Sequence, residues 1–197
     1  RCGGGPDVRT YQWSGAEWQQ MGSYVTAPDV DCGGDYTQTV ALSGDGRRLA
    51  VGHPSGHRAG GSGLARIYQW SGMQWQQVGD DIYAAEPNDY VDFFGSAISI
   101  SSDGNRIAVG APRSDRNGEW SGLAQVYTWS GDNWLQLGVD VEGEREANVL
   151  GQSVSLSADG LWLAVGVHAS NQYVYQAGFV RVYGAPLRTV GSSTVKP

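Results

Sequence analysis

The chain has 197 residues, 40% of them hydrophobic and 17% charged, with a formal net charge of −7. That length supports one domain with a sizeable core, and the acidic balance argues against a nucleic-acid ligand, which needs a basic face. Thirty glycines argue for many tight turns rather than helices, and no apolar run approaches the roughly 18 residues of a membrane-spanning helix.

From the N-terminus, Cys2 is the first residue of note, and Cys32 is the only other cysteine. A disulfide between them closes a loop of about 30 residues and contributes roughly 3–4 kcal/mol in the chain-entropy model; two unpaired thiols are the alternative. A first, partial unit over about residues 7–22 contains VRTYQWSGAEWQQMG. The second, 38–79, holds ALSGDGRRLAVGHP and then ARIYQWSGMQWQQVG. The third, 96–138, holds ISISSDGNRIAVGAP and then AQVYTWSGDNWLQLG. The fourth, 152–183, holds VSLSADGLWLAVGVH and the truncated VRVYGAP. The period is ~58 residues, which marks a repeat architecture.

The third unit shows how each parses. Ala97–Ser101 alternates as a half-buried strand, and 102–105 turns the chain at Asp103-Gly104, a strong hairpin signal. Arg106–Gly110 is a second strand, 111–122 a loop, Leu123–Trp129 a third strand and Trp134–Leu137 a fourth. Four short antiparallel strands make one propeller blade. The expected fold is therefore all-β, with thirteen strands in about three and a quarter blades over 1–188. Residues 189–197 read as a polar tail or linker.

Phe94-Gly95 followed by Gly110-Ala111-Pro112 resembles the FG-GAP repeat, found in the N-terminal propeller of integrin alpha chains and in many secreted microbial and algal proteins. The other copies are degenerate: Gly52-His53-Pro54 in the second unit, Leu150-Gly151 and Gly166-Val167-His168 in the fourth. The likeness runs through Tyr183, and the phrase YxWSGxxWxQ strengthens it. WD40 repeats rank second, because their period is about 40–45 residues and ends in Trp-Asp. The resemblance implies an extracellular or cell-surface location. Calcium-binding members carry a loop resembling Asp-x-Asn-x-Asp-Gly, but here each copy keeps one carboxylate: Asp45, Asp103 and Asp159. A calcium ion wants about six to eight oxygens, so these three calcium candidates read as turn formers, and no cofactor is expected.

The pairs Trp13/Trp18, Trp70/Trp75 and Trp129/Trp134 recur at fixed places in one hairpin, which favours cross-strand packing over sugar stacking. Trp120 and Trp162 break the pattern, and Trp120 is the better contact residue. His53 and His57, with His168, lack the ligand set of a zinc site. The connections between units are acidic (Glu86, Asp89, Asp92, then Glu142, Glu144, Glu146), while the loops between second and third strands are basic (His57, Arg58, then Arg113, Arg116). In a propeller both reach one face, a mosaic of signs suited to a partner, with ordinary solvated loops as the alternative.

The expected function is a non-catalytic binding or structural module for protein, glycan or self contacts. A calcium-dependent integrin-like adhesion module and an enzyme with its site in the loops are the alternatives. No signal peptide precedes Arg1, so the sequence is expected to be a mature product or an excerpt of a longer chain. Three blades and a fraction close no ring, so an excerpt, a ring completed by a second copy, or an open stack covered by partners all fit.

Overall fold

Alternating apolar residues punctuated by Asp-Gly and Ser-Gly turns fold here into four stacked antiparallel sheets. The computed structural model describes residues 8–25, 38–54, 63–83, 92–167 and 178–184, and the backbone of 188–194. The first sheet is a hairpin of β1 (Tyr11–Trp13) and β2 (Trp18–Gln20). The second runs β3 (Thr39–Leu42), β4 (Arg48–His53), β5 (Leu64–Trp70) and β6 (Trp75–Gln77), with β7 (Ile82–Tyr83) also on β5. The third repeats this as β8 (Ala97–Ile100), β9 (Arg106–Ala111), β10 (Leu123–Trp129), β11 (Trp134–Gln136) and β12 (Val141–Glu142). The fourth is β13 (Leu150–Leu156), β14 (Trp162–Val167), β15 (Phe179–Gly184) and β16 (Arg188–Thr194). The first strands β3, β8 and β13 lie side by side, as the inner strands of successive propeller blades do.

Two features differ from the expectation. The segment read as a polar tail supplies β16, which pairs with β15 along its length; its Thr and Val residues suit a strand although its polarity conceals it. The fourth strand is split in two: Gly79 (φ 73°) and Gly138 (φ 78°) kink the chain, and β7 and β12 return to the start of the third strand. Among the described residues sixteen strands therefore replace thirteen, as three complete blades and half of another.

Period-two alternation sorts each blade's faces by size. Leu49, Val51 and Tyr68 pack toward the first hairpin with Val25. On the opposite face Ala50, Ala65 and Ile67 meet Ile107, Val109 and Tyr127 of the third blade. The third blade's own reverse face, Ala108, Ala124 and Val126, meets Leu163, Val165 and Tyr183 of the fourth. Alanine-rich faces thus point forward and larger side chains backward, so neighbouring sheets interlock. Phe94 and Leu150 are fully buried plugs at these interfaces, each contributing roughly 1.5–3 kcal/mol of burial.

Glycine sets how closely blades approach. A Cβ on Gly52 would lie 2.0 Å from the Gly95 carbonyl oxygen, and one on Gly110 would lie 2.1 Å from that of Gly151. Gly95 and Gly151 themselves need positive φ (93° and 90°), a region that side-chain-bearing residues rarely adopt. The turns add a second register. Gly44 N–H donates to the Ser102 carbonyl (2.9 Å) and Ser102 N–H to that of Ala158 (2.8 Å). Arg48 Nη1 donates to the Gly104 carbonyl (2.9 Å), and Arg106 Nη1 to that of Gly160 (3.0 Å).

The tryptophan pairs are part of this packing. Trp70 lies opposite Trp75 and Trp129 opposite Trp134, with ring centroids 5.5 and 5.2 Å apart. Trp134 Nε1 donates to the Val78 carbonyl (3.0 Å) and Trp75 Nε1 to Thr10 Oγ1 (2.8 Å), each reaching the preceding sheet.

Gly110→Ala is expected to lower stability by about 2–3 kcal/mol, because the added methyl meets backbone that cannot retreat. Gly166→Ala, the same repeat position, meets only the Ser153 hydroxyl and should cost less than about 1 kcal/mol. Urea denaturation of the two variants checks this; equal losses would show that the blades simply move apart.

Candidate functional site

The loop 112–122 and the connection 143–149 fold onto each other on one face of the third blade. Val149 N–H donates to the Trp120 carbonyl (2.9 Å), Ala147 N–H to that of Glu119 (2.8 Å), and Trp120 N–H to Asp115 Oδ1 (2.7 Å). Asn117 Nδ2 donates to the Gly143 carbonyl (2.9 Å). These bonds hold unusual backbone. Trp120, Ala147, Val149 and nearby Phe93 have φ of 53°, 58°, 52° and 57°, and such conformations persist only where surrounding structure enforces them.

The strained tryptophan is exposed at the surface. The Arg113 guanidinium lies 5.3 Å from its ring and 4.3 Å from that of buried Phe93, within cation–π range of both. Arg113 N–H donates to the Asp92 carbonyl (3.2 Å), which fixes the start of the loop. Arg113, Glu119, Trp120 and Glu146 are all exposed. They form a solvent-facing patch of one aromatic plate, one cation and two carboxylates.

The mosaic of charge is less open than the sequence suggests. Arg116 pairs with Asp140 and lies 3.8 Å from Glu142, while Glu144 pairs with Arg181 at 2.5 Å. Asp140 also accepts from Gln125 (2.7 Å) and Gln136 (2.5 Å). In the second blade Asp81 has the same place and accepts two 2.7 Å bonds from Arg66. The kinked fourth strand delivers both aspartates, so these carboxylates are framework.

Two residues expected on the partner face are buried instead. His53 ends β4 beneath the surface, its Nδ1 3.1 Å from Gln38 Nε2. Burial, with repulsion from Arg66, pushes its pKa down to about 4, so the ring is neutral near pH 7. Asp92 is buried with Oδ1 unpaired among the described residues. Burial and then the Asp115 charge push its carboxyl up to about 6, against the pull of Arg116. Charge alone placed both on the outside; the close approach of the next blade encloses them. Cys2, Cys32, His57, Arg58, Glu86, Asp89 and His168 lie outside the described residues.

The Asp-Gly aspartates are engaged in their own turns. Asp103 Oδ1 accepts from Ser101 Oγ (2.6 Å) and Asn105 N–H (3.0 Å). Asp45 does the same with Ser43 and Arg47, and Asp159 with Ser157 and Leu161. The serine hydroxyl is the leading cause that holds each carboxyl below its usual range. Among the described residues, no three His, Cys, Asp or Glu side chains gather where they could hold a metal ion.

The paired Phe94-Gly95 plug and Gly110-Ala111-Pro112 strand end now stand as one structural device. Residues 83–127 match the family model described as FG-GAP repeat. The match spans β8, β9 and most of β10 of the third sheet, together with the segment of sequence that leads into them. The chain also aligns over 96% of its length with 41% of TolB from Acinetobacter baumannii, at 13% identity and a TM-score of 0.47. It aligns over 97% with 27% of a chain from a study of two prolyl endopeptidases, at 14% identity and a TM-score of 0.48. The chain thus spans less than half of either structure. No curated protein matches it.

Sequence reasoning named Arg113 and Trp120, which the structure brings together, but did not name Phe93, Asp115 and Glu119 as their neighbours. The doubled phenylalanine of Asp-Phe-Phe-Gly was the available signal. It aligns with Asn148-Val149-Leu150-Gly151 in the next unit, where Asn148 is likewise buried.

Asp92 gives a pH signature. Its folded pKa lies above the unfolded 3.8, so the protonated acid favours the fold below about pH 4. That contribution is lost as pH rises through about 6. Asp92→Asn, the residue found at position 148, should therefore stabilise the protein at pH 7 by about 1–3 kcal/mol. The difference from wild type should vanish near pH 4. Denaturant titrations from pH 4 to 7 test this, and a pH-independent difference would contradict it.

Proposed function

We propose that the chain is a non-catalytic, extracellular or cell-surface binding module. Its contact is the Trp120–Arg113 patch on the loop face of the FG-GAP blade. The single observation that carries this is an exposed tryptophan held in strained backbone by three loop hydrogen bonds, with an arginine across its ring. Strain of this kind is found where a side chain is displayed for use, and Trp with Arg is the composition of interface hot spots. The neighbouring charges neutralise one another, so the ligand is met by the aromatic plate with Arg113, Glu119 and Glu146 at its rim. A protein surface fits that chemistry best; a glycan ring stacked on the indole is the second arm of the test. The FG-GAP match supports the location.

Immobilised protein should retain at least one member of a panel of purified extracellular-matrix proteins and polysaccharides in biolayer interferometry. Trp120→Ala should weaken that binding at least ~10-fold, the effect of losing a hot-spot residue, with the melting temperature kept within about 2 °C. Binding that ignores the substitution would remove the patch from consideration.

The calcium-dependent adhesion reading has a separate check. With Asp45, Asp103 and Asp159 already satisfied by their own turns, excess EDTA should leave the thermal midpoint unchanged. A fall restored by added calcium would favour the adhesion module.

A further inference from the structure

The arginines of the blades are held in different ways. Arg66, Arg116 and Arg181 each sit against a carboxylate of the framework. Arg48 and Arg106 donate to carbonyls of the following blade. Among the described residues the Arg113 guanidinium has neither kind of partner. Two rings hold it instead, Phe93 with its centroid 4.3 Å away and Trp120 at 5.3 Å. Both ends of this arrangement are anchored: Phe93 is buried, the Arg113 N–H donates to the Asp92 carbonyl (3.2 Å), and the Trp120 N–H donates to Asp115 Oδ1 (2.7 Å).

A ring attracts a guanidinium by its π face and accepts none of its strong hydrogen bonds. Arg113 is therefore oriented in advance while its N–H donors remain to be met. A carboxylate matches that planar fork with two parallel bonds. The side-chain freedom that binding usually removes is already restricted by the rings. Beside the fork, Trp120 is 47% exposed and offers an apolar surface to whatever adjoins the carboxylate.

The surrounding charge narrows the choice of anion. Glu119 and Glu146 are exposed on the two loop segments that meet at Trp120, and the whole chain carries a net charge of −7. A polyanion that reached Arg113 would also meet these carboxylates and be repelled, whereas a single carboxylate flanked by apolar groups would not.

We infer, resting on the binding role given to the patch above, that it recognises a single aspartate or glutamate of a protein partner. The partner's carboxylate lies in the fork of Arg113, and its neighbouring apolar side chain lies on the Trp120 indole. Arg113 sets the specificity and Trp120 supplies the contact area.

The test selects random peptides displayed on phage against the immobilised whole chain at physiological salt. Peptides retained by the wild type and lost with Trp120→Ala should share one Asp or Glu beside an aromatic or large aliphatic residue. One such peptide is then synthesised and its binding read by fluorescence polarisation. Replacing its acid by the amide should weaken binding at least ~10-fold, the scale of a lost charge-assisted hydrogen bond. With Arg113→Gln the acid and amide peptides should bind alike, because the group that tells them apart is gone. Arg113→Lys keeps the charge without the fork and should restore only part of the difference. Heparin should not compete with the peptide. Trp120-dependent peptides that share no acid would overturn the inference and leave the binding role of the patch standing. So would an acid preference that survives Arg113→Gln, or displacement by heparin. Recovery of no Trp120-dependent peptide would overturn both.

Discussion

The contact between Gly110 of one blade and Gly151 of the next, repeated between Gly52 and Gly95, governs this structure. It brings a strand end against a backbone carbonyl at a distance that tolerates no side chain. Phe94 and Leu150 can then fill the interface, Arg48 and Arg106 can span from turn to turn, and Trp75 and Trp134 can reach the preceding sheet. The two halves of one copy are tied within the blade by the Gly95 N–H bond to the Gly110 carbonyl (3.0 Å), yet they face opposite neighbours, Gly95 toward Gly52 and Gly110 toward Gly151. Each half is one side of a different joint, which is why a lone copy could not bury its own motif.

The loop face follows from the same joint. Because the blades approach so closely, the residues flanking the plug are drawn inside: Asp92 ahead of Phe93-Phe94, and Asn148 ahead of Val149-Leu150. The loops must then leave through positive φ at Phe93 and Val149. The strain that supports the displayed Trp120 is thus continuous with the packing beneath it, through the Val149–Trp120 hydrogen bond. Arg116, Asp140 and Arg181 spend their charge within the framework, leaving Arg113 beside the indole.

Much of this was legible in the chain itself. The repeat, the strand pattern and the Asp-Gly turns announce themselves because period-two alternation and turn residues are local signals. The two-residue strands β7 and β12 are too short to show a period, and β16 is too polar to look buried. His53 and Asp92 were misplaced for a different reason: loop residues carry no local sign of the next blade's proximity. Asp115 and Glu119 are brought to Trp120 through backbone geometry that leaves no compositional trace, while buried Phe93 beneath Arg113 is signalled only by the doubled phenylalanine.

Trp162 has a consequence beyond its own blade. It occupies the position of Arg48 and Arg106, so the fourth blade lacks the arginine latch of the second and third. A stack of near-identical units is prone to growth, since a head-to-tail contact that does not close produces filaments. An incoming copy would bring Gly46 to a tryptophan, with one N–H, rather than to a guanidinium with five. A blade stacked on β14 would therefore be held without the guanidinium bond that joins the described blades.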